Sequence, residues 1–147
     1  GQSVVVFGLG LLGMYGAAIA KARGARLVVG VDTEAARREQ AVRFGVDVAL
    51  DPAGLDPGMF AGRVRELCRP LGADVVLEVC GDPAVIAPGI DLLRVGGTCV
   101  LAGVVNPGAE VAPSAAAACT PAPSSPASNW AAYISATFRA MLRTRAM

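Results

Sequence analysis

The run VFGLGLLGMYG, Val6 to Gly16, sets four glycines among apolar residues. Glycine weakens the interior of either a strand or a helix, so this density needs a reason in backbone geometry. Gly8, Leu9, Gly10, Leu11, Leu12 and Gly13 spell G-x-G-x-x-G directly after a β-branched run and at the opening of a helix-period segment. That arrangement predicts a tight strand-to-helix turn. Gly8 permits the turn, Gly10 keeps the backbone bare toward whatever approaches, and Gly13 lets helix and strand pack closely. Gly16 and the alanines after it extend that contact.

From Ser3 to Ala102 short β-branched runs alternate with helix-period segments, the pattern of a parallel sheet with crossover helices. The expected strands are SVVVF, RLVVGV, VAL, DVVLEV and TCVLA. Their near-continuous apolar character implies burial on both faces. Helices are expected over Leu11–Arg23, Glu34–Phe44, Met59–Cys68 and Pro83–Leu93. Gly24 and Gly45 suit left-handed caps, and Asp82 with Pro83 suits an N-cap and first helical residue. Pro88 and Gly89 predict a kink or break in the last helix. The fold class is therefore α/β, a Rossmann-type doubly wound parallel sheet of about five strands.

Composition narrows the function. A chain of 147 residues, 54% hydrophobic and 17% charged, buries one core. A formal charge of +1 offers no long-range attraction to a phosphate backbone, so no nucleic acid partner is expected. No apolar run reaches the roughly 18 residues of a membrane span, and the N-terminus has no basic, signal-like leader. A soluble, cytoplasmic protein without membrane contact is the expectation. With no histidine, and with Cys68, Cys80, Cys99 and Cys119 widely spaced, a zinc site has almost no ligands to draw on. Cys80 and Cys99 read as small buried hydrophobes, a reactive thiol being the alternative.

After Gly103 the composition changes. The last 44 residues carry only Glu110, Arg139, Arg143 and Arg145 as charges, with half of the ten prolines. Residues 112–128 read as a low-complexity linker. In residues 129–147, Trp130, Tyr133, Ile134, Phe138, Met141 and Leu142 share one helical face, so an amphipathic helix that docks on its own domain or on a second copy is expected. Residues 1–111 form the first unit of this organisation.

The glycine turn gains meaning from Asp32, which ends the second strand 19 residues after Gly13. A helix N-terminus presents free N–H groups and a positive dipole end to phosphates, and a carboxylate at Asp32 accepts hydrogen bonds from an adenosine ribose. Together they point to a dinucleotide. The carboxylate repels a 2′-phosphate, which favours NAD over NADP, although Arg37 and Arg38 would tolerate one. The plainer reading of Asp32 is an N-cap for the next helix.

Over about Gly1 to Val111 the chain resembles the cofactor-binding domain of the medium-chain dehydrogenase/reductase family, the zinc-type alcohol dehydrogenases. The motifs that carry the resemblance are VVVFGLGLLGMYGAAIAKARGA, VVGVDTEAARREQAVRFGVDVALDP, DVVLEVCGDPAVI and LLRVGGTCVLAGVV. RREQAVRFG and VNPGAEV are further similar to a branch of phosphonate-associated alcohol dehydrogenases. The resemblance implies that Gly8, Gly10, Leu12 and Gly13 surround the pyrophosphate, that Asp32 and Thr33 meet the adenosine side, and that Arg37 matches a basic residue that reaches the adenosine ribose. Val79 and Cys80 would line the cleft, with Ala102 and Val104 meeting the nicotinamide carboxamide through backbone groups. It also implies a homodimer through the edge of the fifth strand.

The departures from the family matter equally. Its catalytic zinc ligands and proton relay belong to a separate N-terminal domain, and its sheet continues into a sixth strand, neither of which this sequence shows. Zinc is expected in a full-length family member and not in this chain. No catalytic or metal-binding residue is therefore assigned, and the chain is expected to be an inactive piece, truncated or frame-changed after about Val111, of an alcohol-oxidising enzyme. The Y-x-x-x-K of short-chain dehydrogenases is absent. Two other classes remain open at this point: an S-adenosylmethionine-dependent methyltransferase-like domain, which also pairs a glycine loop with an acid after strand two, and a non-catalytic nucleotide-binding or dimerisation module.

Overall fold

A computed structural model describes residues 1–105, other than 54 and 70, together with 108 and 110. The linker and amphipathic helix expected over 112–128 and 129–147 lie outside the described residues.

The strands are β1 (Ser3–Phe7), β2 (Leu27–Val31), β3 (Val48–Leu50), β4 (Ala73–Glu78) and β5 (Leu93–Leu101). They form one parallel sheet in the order β3-β2-β1-β4-β5. This is a doubly wound order, with the direction of winding reversing between β1 and β4. β1 is buried at every position, as its central place requires. Its side chains alternate between the faces: Val5 and Phe7 join Val29, Phe60, Val64 and Val76 in one core, while Val4 and Val6 join Leu9, Met14, Ala17 and Val28 in the other. A period of two thus feeds two cores, and both faces of the sheet are covered.

The helices are α1 (Leu11–Ala22), α2 (Ala35–Ala41), α3 (Pro57–Cys68) and α4 (Ile86–Asp91). Gly24 and Gly45 have φ of +84 and +91, and the flanking amides bond back as a left-handed cap demands: Gly24 to Lys21 and Ala25 to Ala20, then Gly45 to Val42 and Val46 to Ala41. α3 begins two residues before its expected start, because Asp56 accepts from the amides of Gly58 and Met59 and Pro57 takes the first turn.

Two expectations need correction. The last helix is not broken at Pro88 and Gly89. Asp82 caps a 3₁₀ turn, Pro83–Val85, and α4 starts after it, so Pro88 falls in the first helical turn, where a missing N–H costs nothing. Strand β5 begins at Leu93, five residues before the expected TCVLA. Leu93 pairs with Ala73 and Thr98 with Val75, so Arg94 to Gly97 stand opposite the single residue Asp74. The bulge is held by the Arg94 guanidinium, 2.6 Å from the Asp74 carboxylate, and by Gly96 at φ +75.

Candidate functional site

The carboxyl ends of β1 and β2 stand side by side, with Phe7 opposite Val31. Gly8 then turns the chain at φ +92, and a Cβ there would lie 2.8 Å from the Cβ of Cys80. Both demands select glycine. The turn feeds α1, whose first turn has no side-chain cap and no acidic residue, which leaves its leading N–H groups and positive dipole end toward any anion. A Cβ at Gly10 would meet nothing within 4 Å, so open space stands above the loop. At Gly13 it would overlap the Gly8 carbonyl oxygen, so that glycine seats the helix against the turn. Leu12 is 62% exposed.

Asp32 follows β2 and is buried. One carboxylate oxygen accepts the Leu9 N–H at 2.8 Å, and the other accepts the Glu34 N–H at 2.8 Å. The side chain therefore ties the glycine turn to the end of β2 and steadies the chain before α2. The N-cap position of α2 is Glu34, which makes no side-chain cap bond, so the plain cap reading of Asp32 is displaced by two residues. Each carboxylate oxygen keeps a further lone-pair direction for another donor.

Arg37 stands 3.6 Å from that carboxylate with its side chain 58% exposed. Arg38 is engaged elsewhere, donating to the Asp32 carbonyl at 2.8 Å and pairing with Asp51 at 2.9 Å. Of the two cations near the Asp32 corner, Arg37 is the one held loosely.

A cleft of about 190 Å³ opens here. Gly8, Asp32, Thr33, Arg37 and Cys80 line it, and Phe7, Val31, Pro52, Asp82 and Val85 complete its walls. The first five carry the sequence signals described above. Phe7 and Val31 end their strands and Pro52, Asp82 and Val85 lie beyond β3 and β4; apart from the cap signal at Asp82 their mark is position alone, since ligands of open α/β sheets bind outside the carboxyl ends at the switch point. Gly10, Leu12, Gly13 and Val79 lie outside this lining, as do Ala102 and Val104, which are exposed beyond β5. A wider groove of about 740 Å³ runs between β3 and α3. Its charges are Asp51, Arg63 and Glu66, of which Arg63 and Glu66 pair with each other, so it presents no cradle for a diphosphate.

Cys80 corrects the buried-hydrophobe expectation: it is exposed, while Cys99 is half-buried and Cys68 is buried. The run VVLEVC, apolar except for Glu78, continues past the end of β4, so its last residue emerges at the cleft. Partial desolvation of the sulfur at the cleft wall, reinforced by the Glu78 carboxylate, pushes the Cys80 thiol up to about 11, and burial does the same to Cys99. Among the described residues no three or more His, Cys, Asp or Glu side chains gather as a metal set. The described donors do not gather into a set that fits zinc. The open cradle over Gly10 beside the Asp32 carboxylate does fit a dinucleotide. Among the described residues no helix is long and apolar enough to cross a membrane.

The family model described as zinc-binding dehydrogenase matches residues 12–143. D-xylulose reductase A of Aspergillus niger is 37% identical over 121 residues, covering 82% of this chain and 33% of that protein. The chain thus spans about a third of the length of the curated relatives it matches. Among solved structures, an alcohol dehydrogenase of Thermotoga maritima is 32% identical with a TM-score of 0.72, covering 76% of this chain and 31% of that one. A protein of Sinorhizobium meliloti 1021 described as a zinc-binding dehydrogenase, solved bound to NADP, is 31% identical with a TM-score of 0.69, covering 76% and 32%.

Proposed function

The chain belongs to the zinc-binding dehydrogenase family, as its dinucleotide-binding domain, and we propose that it takes NAD in preference to NADP. The observation that carries this reading is the Asp32 carboxylate, fixed by the Leu9 amide at 2.8 Å beside the open cradle of Gly10. A diphosphate over the α1 N-terminus would put its adenosine ribose at the end of β2, within reach of that carboxylate. A 2′-phosphate would bring a second negative charge to the same place, and Arg37 is the cation that would soften the repulsion.

The residues then divide the cofactor. Gly8, Gly10, Leu12 and Gly13 hold the pyrophosphate, Asp32, Thr33 and Arg37 the ribose, and Val79 and Cys80 the wall of the cleft. Because β4 and β5 lie on the other side of the switch point, the nicotinamide half runs over their carboxyl ends, toward Ala102 and Val104. When bound, the nicotinamide supplies the hydride-accepting centre. The chain's own part is to bind, orient and shield it. The complete enzyme would exchange a hydride between an alcohol and NAD, with the polarising metal held by residues other than those described here. Pairing of two copies along the β5 edge, which is an end of the sheet among the described residues, accords with this reading.

Equilibrium titration of the purified chain with NAD, NADP and S-adenosylmethionine tests it. Saturable binding with NAD tightest supports the proposal. Preference for S-adenosylmethionine, or binding of none of the three, overturns it.

A further inference from the structure

Glu78, the last residue of β4, is 1% exposed. One of its carboxylate oxygens accepts the Gly81 N–H at 2.6 Å, and the other is buried with no hydrogen-bond partner among the described residues. A buried carboxylate half satisfied in this way is costly, and it persists where the surrounding structure holds it for a purpose. Its surroundings are two loops. The Glu78 carbonyl accepts from the amides of Ala102 and Gly103 at 2.8 and 3.0 Å. A Cβ on Gly103 would come within 2.7 Å of both carboxylate oxygens, and one on Gly81 would run into the backbone of Val104.

The turn after β4 and the turn after β5 are therefore packed backbone to backbone around one side chain. In the doubly wound order these turns lie across the switch point from Asp32, on the side that receives the second half of a dinucleotide. We propose that Glu78 is a positioning residue that locks the Cys80–Gly81 turn to the Ala102–Val104 turn and so shapes the half of the cleft that holds the nicotinamide. It touches no ligand itself. It acts through the Gly81 amide, and the bonds that tie Asp32 to the glycine turn do not involve it. This inference rests on the dinucleotide reading above.

The test compares NAD with ADP-ribose, which shares every group of NAD except the nicotinamide, on the wild-type chain and on Glu78→Gln, Glu78→Asp and Glu78→Leu. Glu78→Gln keeps an acceptor for Gly81. Glu78→Asp keeps the charge but falls a methylene short, and Glu78→Leu keeps the volume without the acceptor. The expected result is that the wild type binds NAD more tightly than ADP-ribose, and that Glu78→Gln preserves the difference. Glu78→Asp and Glu78→Leu lose roughly tenfold in NAD affinity with ADP-ribose affinity unchanged, as for one buried hydrogen bond to a charged group. Should Glu78→Leu fail to fold, the Asp and Gln variants still decide the matter. Equal losses for both ligands, no loss for either, or a wild type that does not distinguish them would overturn the role of Glu78. A wild type that binds neither ligand would instead overturn the dinucleotide reading beneath it.

Discussion

The Asp32 carboxylate lies 2.8 Å from the amide nitrogen of Leu9, so a residue after the second strand holds the turn that follows the first. A single side chain thereby sets the spacing between the phosphate cradle and the ribose acceptor. Replacing it by Asn keeps the shape and removes the charge. In Asp32→Asn, NAD affinity is expected to fall about tenfold, consistent with losing a charge-assisted hydrogen bond, while NADP affinity holds or rises. Arg37→Ala is expected to weaken NADP more than NAD. Titration of both variants with both cofactors checks this, and an unchanged NAD to NADP ratio would count against the assigned corner.

Gly10 and Gly13 separate binding from folding. At Gly13 an added methyl meets backbone, which cannot give way, so Gly13→Ala is expected to cost about 3 kcal/mol of stability. At Gly10 the space is open and the backbone lies at φ −70, so Gly10→Ala should stay within about 0.5 kcal/mol of the wild type. The same methyl occupies the cradle, and dinucleotide affinity is expected to drop by tenfold or more, on the order of one lost phosphate hydrogen bond. Thermal melts and titrations on the two variants read the two effects apart.

These glycines were legible in the sequence because their reasons are local: a positive φ at Gly8 and close contact at Gly13 leave no other residue that fits. The strands of the core were equally legible, since burial on both faces writes a continuous apolar run. What escaped depends on residues far apart in sequence. The bulge in β5 is set by Arg94 reaching Asp74, 20 positions away. The effect of Pro88 depends on where α4 starts, which the Asp82 cap and its 3₁₀ turn decide. Cys80 looked interior because hydrophobicity runs on past the end of the strand, and Pro52 and Val85 became cleft walls by topology, with no mark in their own chemistry.

Asp74 gives the fold a pH dependence. The Ser3 backbone amide, followed by the Arg94 guanidinium, holds its carboxyl down from 3.8 to about 2. A folded value below the unfolded one stabilises the protein above the unfolded value, and that stabilisation is lost as pH falls through the folded value. With solvent screening of this partly exposed pair, the expected contribution near neutral pH is on the order of 1 kcal/mol, fading between about pH 4 and pH 2. Asp74→Asn should lower the melting temperature at pH 7 and leave it nearly unchanged relative to wild type at pH 2. Melting curves across that range check the sign.

The Cys80 thiol faces the cleft yet is pushed up to about 11. Alkylation there should be slow at pH 7.5 and accelerate as pH rises toward that value, because the thiolate is the reacting form. Bound NAD should protect it, if the cleft is where the cofactor lies. Peptide-resolved mass spectrometry after iodoacetamide treatment, with and without NAD, follows Cys80 separately from the other three cysteines.

The most direct measurement is a backbone amide NMR titration of the chain with NAD. The geometry predicts that the largest shifts fall on Leu9 to Gly13 and on Asp32 and Thr33, saturating together at one affinity, while the α3 groove around Met59 and Arg63 stays unchanged. Shifts centred on that groove, or a glycine turn unmoved at saturating NAD, would contradict it.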